Sequence, residues 1–323
     1  MIISASRRTD IPSYYSDWFF HRLEEGYVLV RNPWNARQVS RIRLSPEVVD
    51  GIVFWTKNPA PMLRKLDRLG AYHYYFQFTL TAYGPEVEQN LPSKNRAVIP
   101  AFQQLSREIG KDKVIWRYDP IFFNETYTLD YHCRYFEMLA AKLAQYTETC
   151  TVSFLDFYKN TRRNADALHM QTPDAGRQTE LLGRLAKTAK EYGISLDACA
   201  EEIDFGKLGV FPARCIDKAR FEKMGGCRLE AGKDRNQRSG CGCVESIDIG
   251  AYNTCRNGCL YCYANYDARS VEGHFSRHNP QSPLLFGEIE EGDAIRERNV
   301  RSFADGQMTL FDLGEHGVRA DNM

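Results

Sequence analysis

Residues 246–262 read SIDIGAYNTCRNGCLYC, a short alternating run followed at once by Cys255, Cys259 and Cys262. The alternation of apolar and polar residues over 246–252 predicts a β-strand. The cysteines follow with three residues in the first gap and two in the second. Three thiolates on one loop suit three irons of a [4Fe–4S] cluster, whereas stable all-protein clusters usually take four cysteines. A triad with no fourth cysteine in its loop therefore predicts a coordination position left for another ligand. That is how an open metal site differs from a closed structural one.

Working outward, residues 1 to about 205 alternate β-rich runs with helical stretches. The pattern predicts strands at 2–5, 51–55, 74–80, 113–117, 149–155 and 194–198, rich in Val, Ile, Phe, Tyr, Trp and Thr. Apolar spacing near 3.6 predicts helices at 13–25, 60–69, 95–109, 130–145 and 175–192 between them. Strand-then-helix units in a row indicate an α/β chain with a parallel sheet, open or closed into a barrel. After residue 205 the character changes to a charged, cysteine-rich segment and a polar tail, so the predicted division is 1–205 and 206–323, with 246–252 as a possible closing strand.

The predicted strand ends are polar in a repeated way. The first runs into Ser6-Arg7-Arg8-Thr9-Asp10, the second into Thr56-Lys57-Asn58-Pro59 and the fourth into Arg117-Tyr118-Asp119-Pro120. In β/α folds the loops leaving the carboxyl ends of strands form the active face. Arg7, Arg8, Asp10, Lys57, Arg117 and Asp119 are thus the expected catalytic or substrate-binding groups, and Asn58 an expected cofactor-binding one. Asp10, directly before Ile11-Pro12, also fits a helix N-cap.

The Cys255-x-x-x-Cys259-x-x-Cys262 spacing, with Tyr261 before the last cysteine, resembles the signature of the radical S-adenosylmethionine (SAM) superfamily. The resemblance implies that the three cysteines hold a [4Fe–4S] cluster whose fourth iron binds SAM, and that Tyr261 packs against the adenine. It further implies reductive SAM cleavage, a reductase or flavodoxin-type electron donor, and radical chemistry on a substrate that the sequence does not name. In most of that superfamily the cysteine loop follows the first barrel strand. Here it follows the last predicted strand, so the expected architecture is a partial or circularly permuted, TIM-like β/α barrel with a C-terminal iron–sulfur segment. In that arrangement 246–252 lies beside 2–5. The IISASRRTDIP start, the WTKNP and WRYDP strand ends and the CGC…DIGAYNTCRNGCLYCYAN block also resemble an uncharacterised bacterial family defined by a domain of unknown function. WTKNP and RYDP more loosely resemble radical SAM proteins related to spore photoproduct lyase.

Cys215, Cys227, Cys241 and Cys243 form a second set, suited to an auxiliary iron–sulfur cluster or a structural zinc. Cys133, Cys150 and Cys199 are read as small buried apolar residues. The competing function is a metal-binding module, zinc or structural iron–sulfur, associated with nucleic acid. Basic residues from Arg214 to Arg238 favour it, but Glu222, Glu230 and Asp234 dilute them, and zinc ribbons prefer two separated Cys-x-x-Cys knuckles. With 42 Lys and Arg against 42 Asp and Glu, the net charge is zero, which argues against a polybasic coat. No apolar run reaches membrane-spanning length, and the start lacks a signal-peptide pattern, so the expected location is cytoplasmic. In the tail, Gln307-Met308-Thr309-Leu310-Phe311 resembles the short peptides that bind the bacterial sliding clamp.

Overall fold

The computed structural model describes residues 1–158, 161–238 and 240–305, apart from the side chain of Arg163. The tail motif at 307–311 lies outside them. In chain order the elements are β1 (Ile2–Ala5), α1 (Ile11–Tyr14), α2 (Ser16–Glu25), β2 (Tyr27–Asn32), β3 (Asn35–Arg43), β4 (Gly51–Thr56), α3 (Ala60–Leu63) and β5 (Tyr74–Thr79). There follow α4 (Ile99–Ile109), β6 (Val114–Ile121), α5 (Leu129–Leu143), β7 (Thr149–Phe154), α6 (Arg162–Ala167), α7 (Ala175–Glu191) and β8 (Ser195–Ala198). Last come β9 (Phe211–Pro212), α8 (Lys218–Gly225), β10 (Ile247–Asp248), α9 (Ala268–Phe275) and β11 (Ala294–Glu297).

Eight strands form one sheet in the order β10-β1-β4-β5-β6-β7-β8-β9, every pairing parallel. All six predicted strands are in it. The strand expected at 246–252 is present as the short β10, beside β1 in the register Ile3↔Ile247 and Ser4↔Asp248. The two edges, β9 and β10, do not pair with each other, so the sheet is open. Both edge strands come from the C-terminal segment, which is therefore continuous with the sheet of the first 205 residues.

Alternation along the strands builds two different faces. Ile3, Ile52, Phe54, Phe76, Phe78, Val114, Trp116 and Val152 point toward α2, α4, α5 and α7, with Phe54 stacked on Phe76 and Trp116 on Phe136. Ile2, Val53, Tyr75 and Ile115 point the other way and pack under residues of the cysteine-rich segment. There α8 lies so close that a Cβ on Gly51 would sit 2.0 Å from the ring of Phe221. A second sheet was not foreseen. The β2–β3 hairpin pairs antiparallel, and β11 adds in parallel to β3. Among the described residues no helix is long and apolar enough to cross a membrane.

Phe221 is 1% exposed and packs 5.1 Å from the Tyr75 ring, centroid to centroid. Phe221→Ala is expected to cost about 3–5 kcal/mol in urea unfolding, the range for emptying a buried aromatic site. A loss under ~1 kcal/mol would show that α8 does not clamp this face.

Candidate functional site

The carboxyl ends of the strands, the hairpin and the cysteine loop enclose a cleft of roughly 1070 Å³. Arg7, Arg8, Asp10, Lys57, Arg117, Asp119, Tyr261 and all of Cys255, Cys259 and Cys262 line it. Asn58 lies off this wall. Its carboxamide accepts from Ala60 N at 3.3 Å and its carbonyl from Ser13 Oγ at 2.6 Å, so it shapes the turn into α3.

The first loop and β10 are joined by Asp248. Its carboxylate accepts from Ser4 Oγ and Ser6 Oγ at 2.7 Å, Arg7 N at 2.9 Å and Gly250 N at 3.0 Å. Gly250 is required here, because a Cβ would meet Ser6 Oγ at 2.1 Å. Asp10 is a buried structural carboxylate. It caps α1 through Ser13 N at 3.1 Å and accepts from Lys57 N at 2.8 Å and Asn257 Nδ2 at 2.9 Å. Burial pushes its pKa up against those hydrogen bonds. Asn257 also accepts from Tyr14 OH at 2.9 Å, so the cysteine loop is tied to both ends of α1.

The other side of the loop is tied to residues 87–90. Leu260 N donates to Val87 O at 2.9 Å and Asn90 N to Asn257 O at 3.1 Å. Gly258 sits at φ +65°, where a Cβ would also strike Asn90 Nδ2 at 2.8 Å. The three cysteines are half-buried on the cleft wall, and desolvation raises all three thiol pKa values, that of Cys259 to about 12. Ala264 N donates to Cys262 Sγ at 3.4 Å.

Glu88 is a site residue that sequence reasoning missed. Its carboxylate accepts from Lys57 Nζ at 2.7 Å, Thr81 Oγ1 at 3.0 Å and the Tyr261 hydroxyl, and Lys94 Nζ lies 2.5 Å away. Burial opposes its charge, but Lys57 and Lys94 outweigh burial and hold its pKa at about 2. Burial likewise opposes the Lys57 charge, yet Glu88 raises its pKa; at Lys94 burial prevails and lowers it. Tyr261 also accepts from Lys57 Nζ at 2.7 Å, so its hydroxyl belongs to this buried network while its ring faces the cleft.

Arg117 is held by Asp119 through Nε at 3.1 Å to both carboxylate oxygens, and its Nη1 reaches Cys215 Sγ at 2.8 Å. Arg8 lies 5.0 Å above the Tyr252 ring and 4.0 Å from Asp248. Arg7 stacks 5.1 Å from the Trp55 ring, and its buried Nη2 has no hydrogen-bond partner.

The second cysteine set differs from the expected one. Cys199, Cys215, Cys241 and Cys243 line the cleft, and Cys199 Sγ lies 3.3 Å from Cys215 Sγ. The electrostatics of Cys215 and of Cys241 each involve Cys243. Cys227 follows α8 on the side of His73, which precedes β5 at the opposite end of the sheet. Among the described residues no group of three or more His, Cys, Asp or Glu side chains stands in a geometry that could hold a metal ion, so any ion would need these side chains to move.

The fold and the site define a class: a parallel α/β protein whose cysteine-lined cleft opens at the carboxyl ends of its strands. The chain belongs to the family described as Domain of unknown function (DUF1848), which matches residues 2–264. No curated protein matches it. Among solved structures it is similar to a provisionally assigned alpha-L-fucosidase from Bacteroides thetaiotaomicron VPI-5482, at 10% identity and TM-score 0.27. That alignment covers 71% of this chain and 84% of the other.

Glu88→Gln leaves two buried ammonium groups without a carboxylate and is expected to cost about 3–5 kcal/mol. Because the folded pKa of about 2 lies below the ordinary 4.5, the Glu88 contribution is present above pH 4.5 and is lost as pH falls toward 2. Urea midpoints measured from neutral pH downward should therefore fall more steeply in wild type than in the variant. Parallel curves would place the acid sensitivity elsewhere.

Proposed function

We propose that this chain is an enzyme that binds a [4Fe–4S] cluster through Cys255, Cys259 and Cys262 and cleaves SAM reductively to begin radical chemistry. The observation that carries this reading is the opening of all three thiols onto one large cleft at the carboxyl ends of parallel strands. The donor set fits the group, since three soft sulfur ligands on one loop, without a fourth, leave one iron to a small molecule. When bound, such a cluster supplies the electron that splits SAM.

The chain's own residues hold and orient. Asp10, through Asn257, and residues 87–90 fix the loop from two sides, so the thiolates are presented by a preorganised backbone. The Lys57–Glu88–Tyr261 network stiffens the wall behind Cys259 with its charges already paired. Arg7 has donor capacity to spare, and its unpaired Nη2 suits a carboxylate of SAM or an anionic substrate group.

The test is anaerobic reconstitution with iron and sulfide, reduction with dithionite in the presence of SAM, and chromatography for 5′-deoxyadenosine. Wild type should form it and a Cys255→Ala, Cys259→Ala, Cys262→Ala variant should not. Equal yields from both, or zinc rather than iron held by these cysteines, would overturn the reading.

Arg7→Ala should weaken SAM binding about tenfold or more, the loss of one charge-assisted contact, while the iron content stays at the wild-type level. Unchanged SAM affinity would remove Arg7 from the binding surface.

A further inference from the structure

We propose that Cys199, Cys215, Cys241 and Cys243 form a second metal site, in which four thiolates hold a single divalent ion of the zinc class, apart from the Cys255–Cys259–Cys262 loop. The four come from separate places in the chain: Cys199 directly after β8, Cys215 after β9, and Cys241 and Cys243 on one loop before β10. Folding nevertheless sets Cys199 Sγ 3.3 Å from Cys215 Sγ and puts all four on the wall of one cleft, where Cys215 and Cys241 each interact with Cys243.

Spacing selects the occupant. Zinc–thiolate bonds of about 2.3 Å in a tetrahedron put the sulfurs roughly 3.8 Å apart. The 3.3 Å between Cys199 Sγ and Cys215 Sγ is close to that edge and needs only a small expansion. A four-iron cluster binds each thiolate at a separate iron corner and spreads its ligands further than touching sulfurs allow. Closing the four sulfurs into a tetrahedron requires their side chains to rotate about a backbone that is held in place. Cys215 O accepts from Tyr75 OH at 2.8 Å and Gln77 Nε2 at 2.9 Å, and Gly242 is held so close to Arg214 that a Cβ would lie 3.0 Å from its Cγ.

Charge supports the same occupant. Binding exchanges four thiol protons for one dication, so the site goes from neutral to a net charge of minus two. Two guanidinium groups are in place to meet it. Arg117 Nη1 lies 2.8 Å from Cys215 Sγ, and Arg7 lies within reach of the charges of Cys243 and Cys215. Ile216 N also donates to Cys243 Sγ at 3.3 Å, the N–H to sulfur bond that a metal-bound thiolate accepts more strongly than a thiol does. The site would staple residues 213–243, a stretch with one helix, onto the sheet's inner face.

The test uses the full chain carrying the Cys255→Ala, Cys259→Ala, Cys262→Ala background, so that failure of the cluster reading and failure of this one are separable. Purified anaerobically, it should retain about one zinc per chain and neither iron nor sulfide. Further substitution of Cys199→Ser or Cys243→Ser should abolish zinc retention, and Cys227→Ser should leave it. Should the variants at the four thiols fail to fold, cobalt(II) replacement in the Cys255→Ala, Cys259→Ala, Cys262→Ala chain with all four thiols intact reads the same site, through sulfur-to-metal charge transfer and tetrahedral ligand-field bands. Absence of those bands, absence of zinc, iron with sulfide in place of zinc, a Cys199–Cys215 disulfide, or zinc lost with Cys227→Ser but not with Cys199→Ser would each overturn the proposal.

Discussion

The carboxylate of Asp248 decides where the cysteine loop sits. A parallel pairing of only two residues, Ile3↔Ile247 and Ser4↔Asp248, is too short to bring a late segment reliably to the start of the chain. Asp248 adds four hydrogen bonds from Ser4, Ser6, Arg7 N and Gly250 N. Hydrogen bonds to a charged acceptor contribute about 1.5–3 kcal/mol each, more than neutral ladder bonds, so this side chain outweighs the strand it belongs to. The same bonds shape the loop carrying Arg7 and Arg8, and the next turn leads through Thr254 to Cys255. The strand order at this edge and the shape of the mouth follow from this interaction, and the ties to Asp10 and to residues 87–90 complete the placing of the thiols.

Charge pairing organises what that interaction brings together. A mouth holding Arg7, Arg8, Lys57, Lys94 and Arg117 would repel itself if its carboxylates lay elsewhere. Glu88 lies between two lysines, Asp119 grips Arg117 with both oxygens, and Arg8 is shared between Asp248 and the Tyr252 ring. Lys57 and Arg117, which look reactive in the sequence, thus spend much of their donor capacity inside the wall. Arg7 also rests on an aromatic face, and its Nη2 is left without a hydrogen-bond partner.

The sheet was legible because buried parallel strands are short apolar runs bounded by helical periodicity, and every one of the six reads that way. The hairpin Tyr27–Asn32 and Asn35–Arg43 was missed although its signals are present: a YVLV run, an Asn-Pro-Trp-Asn turn and an alternating second strand. It interrupts the βα rhythm, and the eye following that rhythm passes over it. Glu88 was illegible for a different reason. It lies in an irregular stretch between β5 and α4, and only the docking of Val87–Asn90 onto the cysteine loop makes it a buried partner of Lys57. Cys199 was hidden by the opposite error, since a solitary cysteine after a strand reads as packing until the fold sets Cys215 against it. Asp10 shows that both readings of one residue can be partly true: it lines the mouth, yet as a cap and a strut.

The open seam between β9 and β10 links the remaining features. A parallel sheet that stays open has two edges and two faces, and helices packed on one face cover neither the edges nor the other face. In this chain the covering falls to residues 213–246, which have too little regular structure to satisfy their own backbone and pack through cysteines, Phe221 and Leu229 instead. Irregular segments of this kind gain order most efficiently from cross-links between distant positions. On the reading proposed here, one ion ties the end of β8, the turn after β9 and the loop before β10 together, so it spans the seam that hydrogen bonds leave open. That tie would add to what Asp248 does in placing β10. Two sets of thiols on one cleft would then not be a duplication, because one set would hold the seam and the other would serve the cleft that β10 leads into.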